Sequence, residues 1–190
     1  MPANGVLGDQ ARPGKMDGFV EDPSRSGSFA EQSRGKMILL AFQRHLTAHH
    51  YPDGPFRILS RTVERQIDCT ACANCCRRTE VSLSDLDIAA AARYLGIEPR
   101  DVIRQYTVPD PEDSTARVLR HTKDGCAFLD GNLCMVYEAR PRACRDFPYL
   151  AVGARSLGSR MPSVFKRAYI CPIVYNVLES YKRLIGYHPH

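Results

Sequence analysis

The sequence predicts a mainly α fold, a small irregular α-rich domain with a minor β-hairpin. Three observations carry this. Apolar residues recur at helical spacing in several stretches, helix start and stop signals punctuate residues 84–106, and strand-like segments are confined to 117–137. The length of 190 residues fits one domain with appendages.

Residues 1–35 are rich in Gly, Pro, Ser and charge, with isolated Val6, Leu7, Phe19 and Phe29. Such a segment buries too little apolar surface to offset its ordering entropy, so a disordered leader is expected. Residues 36–65 read as an amphipathic helical lead-in. Met37, Leu40, Ala41 and Leu46 share one helix face, which ends before the turn Tyr51-Pro-Asp-Gly-Pro55, and a second amphipathic stretch spans Phe56–Gln66. Ser84, three residues before Asp87, predicts a capped helix over Asp85–Leu95, and Gly96 stops it. Pro99 opens the next helix, Pro99–Tyr106, so the pair forms a helix–Gly–helix hairpin. Val108–Asp113 reads as a loop. Strands are expected at Arg117–His121, Cys126–Leu129 and Leu133–Tyr137, with turns at Lys123-Asp-Gly125 and Asp130-Gly131-Asn132. Residues 163–187 suit one or two amphipathic helices, with Pro172 just inside a start. The helices before Cys69 and around Cys171 are expected to pack on the Asp85–Tyr106 hairpin. The division that follows is a leader (1–35), a lead-in (36–65), a cysteine-cluster domain (66–175) and a basic C-terminal helix or tail (176–190).

Composition narrows the function classes. No stretch reaches the roughly 18–20 apolar residues of a membrane span. Met1–Phe19 lacks an apolar core and carries Asp9, Arg12, Lys15 and Asp17, so a secretory signal is not expected and a cytoplasmic location is. The formal charge is +5, and residues 150–190 hold six basic side chains and one acidic. A solvated helix face explains such a tail more simply than a nucleic-acid surface, which wants a denser patch or a known module.

All 8 cysteines lie between Cys69 and Cys171. Four are packed as Cys69-Thr-Ala-Cys72-Ala-Asn-Cys75-Cys76, and the others are Cys126, Cys134, Cys144 and Cys171. Core cysteines would be scattered at core periodicity, and disulfides want an oxidising compartment. Converging thiolates explain the pattern best, because Cys-x-x-Cys in a tight turn brings two sulfurs within reach of one ion. The domain is therefore expected to be organised around a cysteine-ligated metal or iron–sulfur site. Cys75 and Cys76 project in different directions and so serve different ions, or different corners of one cluster. A turn at 130–132 would present Cys126 and Cys134 together. The run 69–75 followed by a remote Cys171-Pro172 echoes ferredoxin-type ligation, yet zinc suits the same thiolates, and one or two centres remain open. Arg140, Arg142 and Arg145 read as counter-charges, and Phe128, Tyr137 and Phe147 as shields. His45, His49, His50, His121, His188 and His190 form no ligand spacing.

Cys-x-x-Cys-x-x-Cys-Cys, then Gly125-Cys126-Ala-Phe-Leu129, Cys134-Met-Val-Tyr137-Glu138-Ala-Arg140-Pro141 and Cys144-Arg145-Asp-Phe147-Pro148, resemble the YkgJ-type cysteine-cluster family over about residues 66–175. The resemblance implies a zinc- or iron-chelating domain and assigns little else.

The first functional expectation is a protein binding zinc or iron through the eight thiolates, an iron–sulfur cluster included. It would act in metal handling, in electron transfer or as an enzyme accessory with a protein partner. A zinc-stabilised nucleic-acid or protein adaptor is the alternative. A lysine-methylase-related component is a second alternative, and the chain lacks the Gly-rich fingerprint, His-Glu-x-x-His and Gly-x-Ser-x-Gly that would argue for an enzyme.

Overall fold

The computed structural model describes residues 29–151 and 156–188. Most of the expected leader, residues 1–28, lies outside the described residues. Helix α1 spans Phe29–Ala48 and so starts upstream of residue 36. Its buried face is Leu39, Phe42 and Leu46. Helix α2, Asp53–Glu64, buries Phe56, Ser60 and Val63, one helical stripe, and the Ser60 hydroxyl donates back to the Phe56 carbonyl at 2.8 Å. Two C-terminal helices complete this side, α8 (Leu157–Ala168) and α9 (Pro172–Leu184). Pro172 takes the first turn of α9, where its missing N–H costs nothing.

These four helices form one core, α1 on α8, α2 on α9, and α8 on α9. Phe42 meets Phe165 edge-on at 5.7 Å and Tyr187 at 4.7 Å, and Phe56 stands edge-on to Tyr181 at 5.1 Å. Asp53 in the first turn of α2 pairs with both Arg57 and Arg160, and Arg160 also donates to the Leu150 carbonyl at 2.8 Å. That node ties the segment after Phe147 to α2 and α8.

A second core lies around the helix hairpin, α5 (Asp85–Leu95) and α6 (Pro99–Tyr106). The capping box forms as expected: Ser84 accepts from the Asp87 N–H, and Asp87 accepts from the Ser84 N–H at 3.0 Å. Gly96 ends α5 with φ +69°, a left-handed position that glycine takes without penalty. Ile88, Ala91, Ala92 and Val102 pack against Leu119, Phe128 and Val136.

The minor β content is more divided than one hairpin. Strands β1 (Ser82–Leu83), β2 (Thr107–Pro109) and β3 (Arg117–Leu119) form an antiparallel sheet in the order β1-β3-β2. Part of the segment expected as loop is therefore strand. Strand β4 (His121–Thr122) pairs with β5 (Gly125–Cys126), and β6 (Leu129–Asp130) with β7 (Leu133–Cys134). The expected strand 126–129 breaks because its partner changes. The Ala127 N–H bonds to Arg120, whereas the Phe128 carbonyl accepts from Met135, and the Phe128 ring turns into the core.

One packing expectation is overturned. The helices before Cys69 and around Cys171 do not take the Asp85–Tyr106 hairpin as their main partner. Their apolar faces are used up on one another, and the hairpin spends its own on the small strands. Helix α9 runs from Pro172 to Leu184 and buries much of its length.

Candidate metal centre

The cysteine segment runs as two single turns, α3 (Cys69–Cys72) and α4 (Asn74–Arg78). Asp68 caps α3, accepting from the Thr70 N–H at 2.9 Å. Ala73 joins the turns at φ +51°, a left-handed joint that is buried and tolerates only a small side chain. This joint rewinds the chain so that Cys69, Cys72 and Cys75 face one space.

That space is a small cavity of about 30 Å³, open at its mouth. Cys69, Cys72, Cys75 and Cys171 line it, with apolar walls from Ile67, Phe147, Ile170 and Ile173. Cys171 is the residue before α9 and is 5% exposed. Burial pushes its thiol up to about 12, against backbone N–H groups of Val174 and Ile173 that favour the thiolate, with Cys69 and Cys72 adding to the rise. Cys69 is likewise raised by burial, then by Cys72 and Asp68.

The other four come from separate elements: Cys76 on α4, Cys126 on β5, Cys134 on β7 and Cys144 on α7 (Arg142–Asp146). Burial first, then Cys126, Cys76 and Cys134, pushes the Cys144 thiol up to about 12. Burial pushes Cys126 up to about 11, although its sulfur accepts from the Phe128 N–H at 3.4 Å. Cys134 is raised by burial, against a backbone N–H of Val136, with Cys76 adding to the rise. Cys75 and Cys76 stand between the sets, their sulfurs 4.0 Å apart. Their mutual hydrogen bond raises Cys75 and holds Cys76 down to about 7, with Arg77 and Arg140 also favouring the Cys76 thiolate over its burial.

Cys69, Cys72, Cys75 and Cys171 thus share one cavity, and Cys144 feels the charges of Cys126, Cys76 and Cys134. Among the described residues, no group of three or more His, Cys, Asp or Glu side chains is preformed as a metal cage. The donor chemistry nevertheless fits a soft cation. Buried sulfurs facing one another repel when ionised, and a cation on the same point would displace their protons.

Around the sulfurs, Arg140 lies over the Tyr137 ring at 4.0 Å and favours the thiolates of Cys69, Cys76, Cys134 and Cys144. Arg142 and Arg145 were expected beside it as counter-charges. Arg142 instead pairs with Asp146 at 3.3 Å, and Arg145 acts on Asp87. Two supports were not expected. Arg77 donates to the Gly131 carbonyl at 2.8 Å and to Asn132 at 2.6 Å, and Asn132 donates to the Ala71 carbonyl at 3.1 Å. Together they stitch the Cys-x-x-Cys turn to the hairpin turn. The signal was present as an Arg directly after Cys76 and an Asn in a turn, each of which has a commoner local use. His121 makes its ring contact with the Thr79 carbonyl at 3.0 Å, and His45 with the Tyr51 hydroxyl at 2.7 Å.

Residues 68–172 match the family described as "CxxCxxCC: Putative zinc- or iron-chelating domain". No curated protein and no solved structure matches the chain.

Proposed function

The chain belongs to the CxxCxxCC family of zinc- or iron-chelating domains, and on that premise we propose that Cys69, Cys72, Cys75, Cys76, Cys126, Cys134, Cys144 and Cys171 are its metal ligands. One observation supports this most: Cys69, Cys72 and Cys75 line one cavity with Cys171, about a hundred residues further along the chain, and the Cys76 sulfur lies 4.0 Å from that of Cys75. Bound zinc or iron would supply a Lewis-acidic or redox-active centre held by thiolates. The chain's own residues exclude water with Phe147 and Ile173, offer N–H groups to Cys126 and Cys171, and balance charge with Arg140. This arrangement suits electron transfer, metal handling or an accessory centre for a protein partner.

The adaptor alternative rested on the basic tail, and the structure gives that charge internal uses. Arg160 is buried against Asp53, Lys182 is buried against Glu179, and Arg167 lies 5.2 Å from the Tyr149 ring. No helix among the described residues is long and apolar enough to cross a membrane. The test is zinc, iron and acid-labile sulfide content of anaerobically purified protein. Bound zinc or iron is expected in stoichiometric amount, and a folded chain free of both would end the proposal.

A further inference from the structure

We infer, building on that reading, that the eight thiolates form two distinct centres. Cys69, Cys72, Cys75 and Cys171 hold an iron–sulfur cluster of the [4Fe–4S] class, and Cys76, Cys126, Cys134 and Cys144 hold a single tetrahedral ion.

The division follows the backbone. Cys75 and Cys76 share α4, yet Cys75 lines the cavity with Cys69 and Cys72 across the left-handed joint at Ala73, whereas Cys76 does not line it and its carbonyl is the atom against which Gly125 is pressed. A Cβ on Gly125 would lie 3.0 Å from the Cys76 carbonyl, so β5 brings Cys126 directly beside Cys76. One peptide bond separates the two sets.

The chemistry of each set differs as well. Cys69, Cys72 and Cys75 have the two-residue gaps of a [4Fe–4S] ligand run, and the structure supplies the fourth ligand as Cys171 followed by Pro172, the dipeptide that closes such runs. Their side chains line one cavity whose remaining walls are largely apolar, Ile67, Phe147, Ile170 and Ile173. The second set is built the other way. Two tight hairpins deliver Cys126 and Cys134, and a short helix delivers Cys144. This resembles the knuckle pattern by which turns close four thiolates on one ion.

The test starts from the wild-type full chain purified anaerobically. About four iron, about four sulfide and one further zinc or iron per chain are expected, with broad visible absorption. Ferricyanide treatment should release the sulfide and the cluster iron while the single ion stays. Cys72→Ser should abolish sulfide and colour but keep the single ion, and Cys134→Ser should do the reverse. Sulfide-free protein, or loss of all metal in parallel on oxidation or in either folded variant, would overturn the division while leaving metal binding intact. A chain without metal would instead remove the reading on which the division rests.

Discussion

Gly125 is the position where backbone geometry and the candidate centre meet most directly. Gly125→Ala imposes a side chain at φ +127°, outside the regions open to L residues, at about 1–3 kcal/mol. The new Cβ would also lie 3.0 Å from the Cys76 carbonyl and 3.1 Å from the Arg77 Cα. Both obstacles are backbone, so relief requires β5 or α4 to move, an overpacking cost of about 1–3 kcal/mol. The sum is about 2–6 kcal/mol. At roughly 2–4 °C per kcal/mol for a chain of this size, the Tm should fall by about 4–24 °C. The movement separates Cys126 from Cys76, so metal content should fall with it. Gly131→Ala is the control. Its φ is +58° and nothing lies within 4 Å of the added Cβ, so only the left-handed penalty of about 1–2 kcal/mol applies. Thermal unfolding by circular dichroism and metal content of both variants are the assay. A Gly125→Ala protein with unchanged Tm and full metal, or a Gly131→Ala protein that suffers more, would refute the close-approach argument.

Other substitutions probe the supports. His121→Ala should keep full metal content, because its ring faces the Thr79 carbonyl on an exposed surface, and metal loss in that variant would make it a ligand. Asp87→Ala removes the capping box and the acceptor of the Arg142 N–H at 2.9 Å, costing about 1–2 kcal/mol by urea unfolding at pH 7. Burial raises the Asp87 carboxyl, but hydrogen bonds from Ser84 and the Arg142 N–H outweigh it and leave the pKa below its ordinary value. Its contribution is therefore complete above an unfolded pKa of about 3.9 and is lost as pH falls through the lower folded value, so the gap between the two proteins should close in acid. A gap that widened there would contradict the assignment. Asp53→Ala leaves the buried Arg160 guanidinium without its carboxylate, and about 2 kcal/mol should be lost in the same unfolding assay, half-exposed Asp53 keeping the figure below that of a dry pair.

Local chemistry was legible in the sequence wherever a few neighbouring residues decide the outcome. Ser84 with Asp87, Gly96 and Pro99 mark helix ends by rules that act within one turn, and α5 and α6 have the expected bounds. The eight cysteines stand out in the sequence because their spacing has few other uses, and four of them, Cys69, Cys72, Cys75 and Cys171, do line one cavity. Their grouping was not legible, since Cys171 reaches Cys69 only through the packing of α9 on α2. For the same reason, Arg160 and Lys182 read as surface charge, because nothing near them in sequence announces that Asp53 and Phe42 will stand beside them. Phe128 misled in the opposite direction: a strand-former in a strand-like run, it is drawn into the hairpin core and splits the run in two.

The position of Cys171 at the head of α9 also bears on how the protein is made. A ribosome delivers Cys69, Cys72 and Cys75 long before it delivers their cavity partner. At about 5–20 residues per second, the intervening hundred residues take on the order of 5–20 seconds. Throughout that interval three thiols wait in a nascent chain whose cavity wall, with Ile170 and Ile173, has yet to be synthesised. On the proposed ligand set, the cavity is complete only once α9 has been made, so its metal would be taken up after that point.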